Sequence, residues 1–144
     1  MWPEGSYFRG TYSDGKKNGF GQYYWHDGAF YEGNWEDNKI TGFGTYRWAD
    51  KKEFTGEWMA RKMVGFGLYT WADGRRYEGF FTRDKRQGYG IYMMPDGNTY
   101  SGSWYQGKQH GFGCIWSTNA QQKFGLWNEG KKFLKVTVQQ AGEI

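Results

Sequence analysis

The sequence predicts an all-β protein: an elongated, single-layer antiparallel β-meander of about six 23-residue hairpin repeats, forming one twisted, open sheet. Three observations support this. An aromatic residue followed two residues later by glycine recurs every 23 residues, and all but two of the 24 glycines fall into columns of that repeat. Aromatic residues make up 22% of the chain, whereas the branched aliphatic residues that fill a layered core are few.

Each repeat is numbered from its leading residue, repeat position 0, which is Phe8, Tyr31, Phe54, Tyr77, Tyr100 and, in a sixth copy, Lys123. Glycine then recurs at repeat positions 2, 11 and 13, and less regularly at positions 7 and 20. Two aromatic-rich segments, positions 0 to 5 and 12 to 17, are the predicted strands. The connections are short and contain glycine, lysine or Asp-Gly, so neighbouring strands must be antiparallel.

We expect residues 1–144 to form a single array with units that start at residues 8, 31, 54, 77, 100 and 123. Residues 123–138 are expected to be a degenerate C-terminal cap, because Leu134 and Val136 stand where glycine recurs and FLKVTV alternates like an ordinary last strand. WPEGSYF aligns with MPDGNTY, which indicates that the chain begins with the tail of a preceding unit.

A strand register follows if every large ring is to lie directly opposite a glycine. The ring at position 4 then faces the glycine at position 13, and the tyrosine at position 15 faces the glycine at position 2. This register places Glu32 opposite Arg47 as a favourable charge pair, and Arg9 beside Tyr24. Rings covering bare backbone would explain glycine inside strands, where it is otherwise unfavourable.

Composition excludes several classes of protein. The net charge of +4 is too small for a nucleic-acid-binding surface, so no nucleic-acid partner is expected. Cys114 is the only cysteine, which rules out an internal disulfide and favours a reducing, cytoplasmic compartment. No segment is apolar enough for a transmembrane helix.

The stretch DGKKNGFG has the glycines and lysines of a phosphate-binding loop, but it recurs as DNKITGFG, ARKMVGFG, RDKRQGYG and QGKQHGFG. A phosphate loop occurs once, in a different order and before a helix. The two histidines, His26 and His110, occupy different columns without a neighbouring cysteine, and the aspartates of the Asp-Gly column are turn residues. We therefore expect a non-enzymatic protein with no catalytic residue, metal site or cofactor.

The segments YEGNWEDNKITGFGTYRWADKK and YSGSWYQGKQHGFGCIWSTNA resemble the MORN (membrane occupation and recognition nexus) repeat, whose pattern is roughly YxGxWxxGKxxGxGxxxxxDG. The resemblance covers nearly the whole chain. It departs where Asn38, Arg61 and Asp84 replace a turn glycine, where Lys51 replaces the glycine of Asp-Gly, and where Lys123 replaces the tyrosine. We expect altered turns or local weakness at those positions.

The resemblance implies a protein-binding or scaffolding module of a cytoskeletal, ciliary or membrane-associated assembly. The family is also associated with acidic phospholipids and with targeting regions of larger lipid kinases or methyltransferases. The alternative function is therefore an acidic phospholipid-binding or phosphoinositide-binding module. Both readings place the chain in the cytoplasm, on the cytoskeleton, in a cilium or on a membrane surface.

Three surfaces are candidate sites. An apolar patch on the face opposite the aromatic–glycine lattice would bind a protein partner or a second copy of this chain; it comprises Leu68, Phe80, Ile91, Met93, Cys114, Trp116, Phe124 and Leu126. An aromatic groove would take a helix or an extended peptide; it comprises Tyr23, Trp25, Trp35, Tyr46, Trp48, Trp58, Tyr69, Trp71, Tyr92 and Trp104. A lysine stripe would attract anionic lipid; it comprises Lys16, Lys39, Lys62, Lys85, Lys108 and Lys131.

Overall fold

The computed structural model describes residues 5–119 and 121–136 of the chain. These residues form one antiparallel sheet of 12 strands, in which every strand pairs with the strands that precede and follow it in sequence. The predicted fold class, an all-β open meander, is confirmed. All the side chains therefore project from the two faces of a single layer.

The strands alternate between seven and nine residues, and the last is described as far as Val136. They are β1 (Tyr7–Ser13), β2 (Lys16–Tyr24), β3 (Phe30–Glu36), β4 (Lys39–Arg47), β5 (Glu53–Met59), β6 (Lys62–Thr70), β7 (Arg76–Thr82), β8 (Lys85–Met93), β9 (Thr99–Tyr105), β10 (Lys108–Trp116), β11 (Gln122–Asn128) and β12 (Lys131–Val136). The even-numbered strands begin at the lysine of position 8, earlier than predicted, because pairing resumes there after a two-residue turn and continues across a β-bulge.

The predicted register is wrong by two residues over most of the sheet, and by four residues between each β-bulge and its hairpin turn, where Trp35 faces Ile40 instead of Gly44. Glycine faces glycine and ring faces ring: Gly33 lies opposite Gly44 and Tyr31 opposite Tyr46. The physical reason is that the position 0 ring lies along its own strand, where the Tyr31 hydroxyl donates a hydrogen bond of 3.1 Å to the backbone oxygen of Asn34. The ring thereby covers the glycine two residues ahead and that glycine's cross-strand partner.

Two predicted cross-strand pairs are absent because the predicted register is wrong. Glu32 faces Gln22 and Thr45 rather than Arg47, and Arg9 faces Gln22 rather than Tyr24. Arg47 instead faces Glu53 across the next strand pair, with 3.7 Å between the two charged groups. Because the error is an even number of residues, every side chain keeps its predicted face of the sheet.

The core is a one-sided layer of rings on the aromatic face. Tyr31, Phe54 and Tyr77 of position 0 are fully buried. Each packs edge-to-face against the ring at position 4 of its own strand; Tyr31 and Trp35, for example, have ring centroids 5.4 Å apart and planes at 88°. Such pairs stabilise a fold by about 0.5–1.5 kcal/mol beyond the area they bury.

The turn substitutions do not alter the hairpin turns, contrary to expectation. Ala60 and Arg61 adopt φ of 51° and 66°, close to the 51° and 75° of Asp14 and Gly15. These positive φ angles at both central residues are those of a type I′ turn. At Asn38 the side chain compensates by accepting a 2.8 Å hydrogen bond from the backbone nitrogen of Lys17 in the neighbouring hairpin. Among the described residues, the Arg61 side chain makes no hydrogen bond that would do the same.

The turn after β4 also keeps its geometry, although Lys51 replaces its glycine. Lys51 stands where three other repeats have glycine, and it takes a φ of 76°. The turn is still closed by the backbone nitrogen of Trp48, which donates to the oxygen of Lys52 at 2.8 Å. The substitution therefore adds backbone strain without changing the path of the chain.

Strands β11 and β12 pair as a sixth hairpin, in which Leu126 lies opposite Leu134. The assignment of residues 1–144 to a single array, with residues 123–138 as its cap, stays a prediction. Part of that cap, residues 137 and 138, lies outside the described residues, and so do residues 1–4 of the predicted preceding unit.

We expect Gly44→Ala to lower the free energy of unfolding by about 1–3 kcal/mol, because a Cβ there would come within 3.0 Å of three atoms of the Tyr31 side chain. Urea unfolding of wild type, Gly44→Ala, Tyr31→Ala and the double variant measures the coupling. The glycine substitution should cost less once the ring is gone. An equal cost in both backgrounds would show that the ring is not the constraint.

We expect Arg61→Gly to raise the free energy of unfolding by about 1 kcal/mol, because glycine removes the steric cost of a left-handed conformation. Asn38→Gly is the matched control in the equivalent turn, where the same relief is offset by loss of the hydrogen bond to Lys17. Thermal and urea unfolding should show a gain for Arg61→Gly only. An equal gain for both variants would show that the hydrogen bond between the Asn38 side chain and Lys17 does not stabilise the turn.

Candidate functional site

Seven half-buried rings form a continuous row on the aromatic face, which we call the ring ladder. Its members occupy positions 15 and 17 of the first four repeats: Tyr23, Trp25, Tyr46, Trp48, Tyr69, Trp71 and Tyr92. Successive ring centroids lie between 4.4 Å and 5.7 Å apart. The ladder ends where Met94 replaces the tryptophan and Ile115 replaces the tyrosine of later repeats.

The turns that follow the even-numbered strands hold the ladder tryptophans in place. The backbone nitrogen of Trp71 donates to the oxygen of Arg75 at 2.9 Å. Within that turn the Asp73 carboxylate accepts hydrogen bonds from the backbone nitrogen of Arg75, at 3.1 Å, and from its guanidinium. The hydrogen bonds to the backbone and side chain of Arg75 lower the pKa of the Asp73 carboxyl. The aspartate column therefore serves turn geometry, as the sequence predicted.

The other predicted groove residues lie beneath the ladder. Trp35, Trp58 and Trp104 are buried and belong to the core. The indole nitrogens of Trp35 and Trp104 donate to the backbone oxygens of Gly21 and Gly90, each at 3.3 Å. These three tryptophans support the ladder rings from below and offer little surface of their own.

Two clefts run between the ladder and the hairpin turns. The N-terminal cleft has a volume of about 540 Å³ and is lined by Lys17, Tyr23, Trp25, Trp35, Asn38, Lys39, Ile40, Tyr46, Trp58 and Arg61. The central cleft, at the equivalent place two repeats further on, has a volume of about 340 Å³ and is lined by Met63, Tyr69, Trp71, Phe81, Asp84, Lys85, Arg86, Gln106 and Gly107. Each cleft has an aromatic wall and a basic rim.

Residues at position 9 line both clefts, and their order differs between the two. In the central cleft Arg86 lies 4.6 Å from the ring centroid of Trp104 and 5.3 Å from that of Tyr92, and donates to the backbone oxygen of Gly107 at 2.8 Å. Burial lowers the pKa of this guanidinium. In the N-terminal cleft the equivalent residue is Ile40, and the other position 9 residue, Lys17, lies 5.4 Å from the ring centroid of Tyr23 and 5.8 Å from that of Trp35. The chain thus places a cation of its own over rings in each cleft, but from a different repeat of the pair.

Two tyrosine hydroxyls of the ladder have no hydrogen-bond partner among the described residues, those of Tyr46 and Tyr69. The Tyr92 hydroxyl, by contrast, accepts a hydrogen bond of 3.3 Å from Arg75. A tyrosine hydroxyl is protonated at neutral pH, and burial raises the pKa of both Tyr46 and Tyr69 further. They are available as donors to a bound ligand.

The predicted protein-binding patch lies on the opposite face, but in a different arrangement from the one expected. The corrected register places Glu78 between Leu68 and Ile91, which separates Leu68 from the rest. Cys114 is buried, whereas Trp116 is 42% exposed. Beyond Glu78 the rows of this face carry no charged side chain as far as β11: Phe80, Tyr89, Ile91, Met93, Thr99, Ser101, Ser103, Phe112, Cys114, Trp116, Gln122, Phe124 and Leu126.

Sequence reasoning missed the aromatic residues at position 12, which lie on the same face as that patch. Phe43 is 64% exposed, and the others are Phe20, Phe66, Tyr89 and the less exposed Phe112. The available signal was the ring between the two column glycines in GFG and GYG. In the C-terminal half these rings extend the apolar patch, since Phe112 stacks on Phe124 with centroids 5.9 Å apart.

The six lysines of the predicted stripe are all exposed, and each is the first residue of an even-numbered strand. Lys62 lies 3.7 Å from the Asp84 carboxylate of the neighbouring hairpin. In the described part of the chain, no group of histidine, cysteine or carboxylate side chains could hold a metal ion. The described residues also contain no helix long and apolar enough to cross a membrane.

A protein-family model described as MORN repeat matches the chain five times, over residues 8–30, 31–52, 54–75, 77–99 and 100–120. The first four matches contain the seven rings of the ring ladder. The fifth contains Ile115, which replaces the ladder tyrosine. A comparison with curated proteins found no match.

The buried tyrosines predict a loss of stability at high pH. Burial raises the pKa of Tyr31 and Tyr100 to about 12, from 10.0, so the folded state favours their neutral form. The contribution of these two tyrosines to the free energy of unfolding is complete below pH 10 and is lost as the pH rises through about 12. Urea unfolding across that range should show the decline, and Tyr31→Phe should flatten it. An identical pH profile in Tyr31→Phe would contradict the assignment.

Proposed function

The chain belongs to the MORN repeat family, and from that premise we propose that it is a non-enzymatic protein-binding scaffold whose ring ladder and adjoining clefts hold a segment of a partner protein. MORN repeats occur in membrane-associated and scaffold proteins. The partner assembly we propose is cytoskeletal, ciliary or attached to a membrane, in the cytoplasm.

The observation that carries the proposal is the continuous ladder beside two clefts. Its rings are only half-buried, although the rings beneath them are buried, so the core does not use all of the aromatic surface. Tyrosine and tryptophan are the side chains most enriched at the energetic centres of protein interfaces. The ladder is also held by strand pairing and closed turns, so a partner would lose little free energy in ordering it.

An alternative is binding to acidic phospholipid through the lysine stripe. It is favoured by the six exposed lysines along the hairpin turns and by Lys39 and Arg61 on the rim of the N-terminal cleft. Attraction of this kind is electrostatic and weakens as salt is added. Binding to the ladder is mainly apolar and should persist in salt.

A third proposal, self-association, uses the charge-free part of the opposite face. A second copy of this chain could cover the exposed Phe80, Met93 and Trp116. This surface and the ladder lie on opposite sides of one sheet. A variant on one face therefore leaves the other face in place.

We expect Trp48→Ala to reduce capture of the partner protein from cell extract by about tenfold or more, corresponding to about 1.4 kcal/mol. Phe43→Ala is the matched control, since it removes an exposed ring from β4 on the other face. Quantitative mass spectrometry compares the amount of captured partner between wild type and each variant at low and high salt. Circular dichroism verifies that the variants are folded. Retention of all partners by Trp48→Ala would overturn the ladder as the binding site.

Two further variants separate the alternatives in the same experiment. Binding that is lost in Ile91→Asp/Trp116→Asp, with a halved solution mass by light scattering, would assign the interaction to the opposite face. Binding to phosphatidylserine vesicles that disappears with salt and with alanine at the six stripe lysines would favour the lipid alternative.

A further inference from the structure

We propose that the segment held by the ring ladder is proline-rich and binds in the polyproline II conformation, lying along the array from β2 to β8. This inference rests on the proposed function, because it names the chemistry of the partner for the same site. It draws on the spacing of the ladder, on the type of its rings and on two hydroxyl groups.

The first argument is a match of spacing. Neighbouring strands lie about 4.8 Å apart, so the two strands of a repeat advance the ladder by about 9.6 Å. A polyproline II helix rises about 3.1 Å per residue with three residues per turn, which is about 9.3 Å per turn. Every third residue of such a peptide would therefore meet an equivalent Tyr–Trp pair, and the mismatch would stay at about 0.6 Å over the two intervals between the three pairs.

The second argument is the chemistry of the surface. The three pairs Tyr23–Trp25, Tyr46–Trp48 and Tyr69–Trp71 repeat the same arrangement, with centroids 4.4 Å, 4.7 Å and 4.6 Å apart. Successive pairs are joined by contacts of 5.3 Å and 5.6 Å, so the aromatic surface is continuous. Aromatic-lined surfaces are the mode by which proteins recognise proline-rich segments, whose preformed helix costs little entropy to bind.

The third argument distinguishes this ligand from an α-helix. The backbone carbonyls of a polyproline II segment have no internal hydrogen bonds and need external donors. The Tyr46 and Tyr69 hydroxyls, which have no partner among the described residues, are such donors in the middle of the ladder. The carbonyls of an α-helix are already bonded within the helix, so it would leave these hydroxyls unused.

The ladder also limits the length of the ligand. It spans the first four repeats and ends at Met94 and Ile115, which offer neither a flat ring nor a hydroxyl. Four turns of polyproline II correspond to about 12 residues. The ligand we infer is therefore a segment of about this length with proline at intervals of three.

The test measures binding of fluorescent peptides to the full chain by anisotropy. The probes are a panel of about 12-residue peptides: polyproline, several with proline at every third position and varied residues between, a Gly/Ser peptide and an amphipathic α-helical peptide. We expect at least one proline-containing peptide to bind and the Gly/Ser and helical peptides not to bind. Failure of every proline-containing peptide, or tighter binding of the helical one, would overturn the inference.

Variants of the ladder connect that binding to the site. Trp48→Ala should weaken it about tenfold or more, whereas Phe43→Ala, on the other face of the sheet, should leave it unchanged. Tyr46→Phe/Tyr69→Phe keeps both rings and removes both hydroxyls, and should weaken binding by about fivefold to a hundredfold, the range expected for two lost hydrogen bonds. Equal affinity for wild type and Trp48→Ala would overturn the inference, because the peptide would then bind elsewhere.

The outcome separates the inference from the proposed function. If Trp48→Ala loses a captured partner protein but no proline-rich peptide binds, the ladder remains the binding site and the polyproline II ligand is wrong. If Trp48→Ala loses no partner and no peptide, both are wrong.

Discussion

The structure depends on one repeated contact, an aromatic ring lying along its own strand over a pair of facing glycines. Because neither glycine has a Cβ, the ring of Tyr31 can lie against Gly33 and Gly44 at a distance that any larger residue would block. This contact sets the register, since the two glycines must face each other beneath one ring. It also replaces the second layer of an ordinary sandwich, so a single sheet can have a core.

A core on one face has a direct consequence for binding. The position 0 and position 4 rings fill the layer next to the backbone, and the position 15 and 17 rings lie on top of them with part of their surface exposed. Repetition then turns a local arrangement into a continuous row, because each repeat places its pair beside the next. Single substitutions change that row locally: Arg86 narrows one cleft, and Met94 ends the ladder.

The two faces of the sheet have different physical characters and can serve separate partners. The aromatic face combines rigid rings with a basic rim, which suits a slender apolar ligand. The opposite face is polar and charged in its N-terminal half. Beyond Glu78 its central rows carry no charged side chain, and exposed rings from position 12 add to their apolar area. A scaffold of this kind can hold a partner on one side and meet a second protein, or a second copy of itself, on the other.

The sequence by itself determined the repeat, the number and order of the strands and the face on which each side chain lies, because glycine columns and two-residue alternation are local properties of the chain. It also identified the rings of the ladder. It did not determine the register, since the predicted and observed pairings differ by two or four residues and leave every face unchanged; only the direction in which the Tyr31 ring lies distinguishes them. The continuity of the ladder, the burial of Trp35 beneath it and the exposure of Phe43 were likewise decided by the tertiary structure, because each depends on neighbours from other strands.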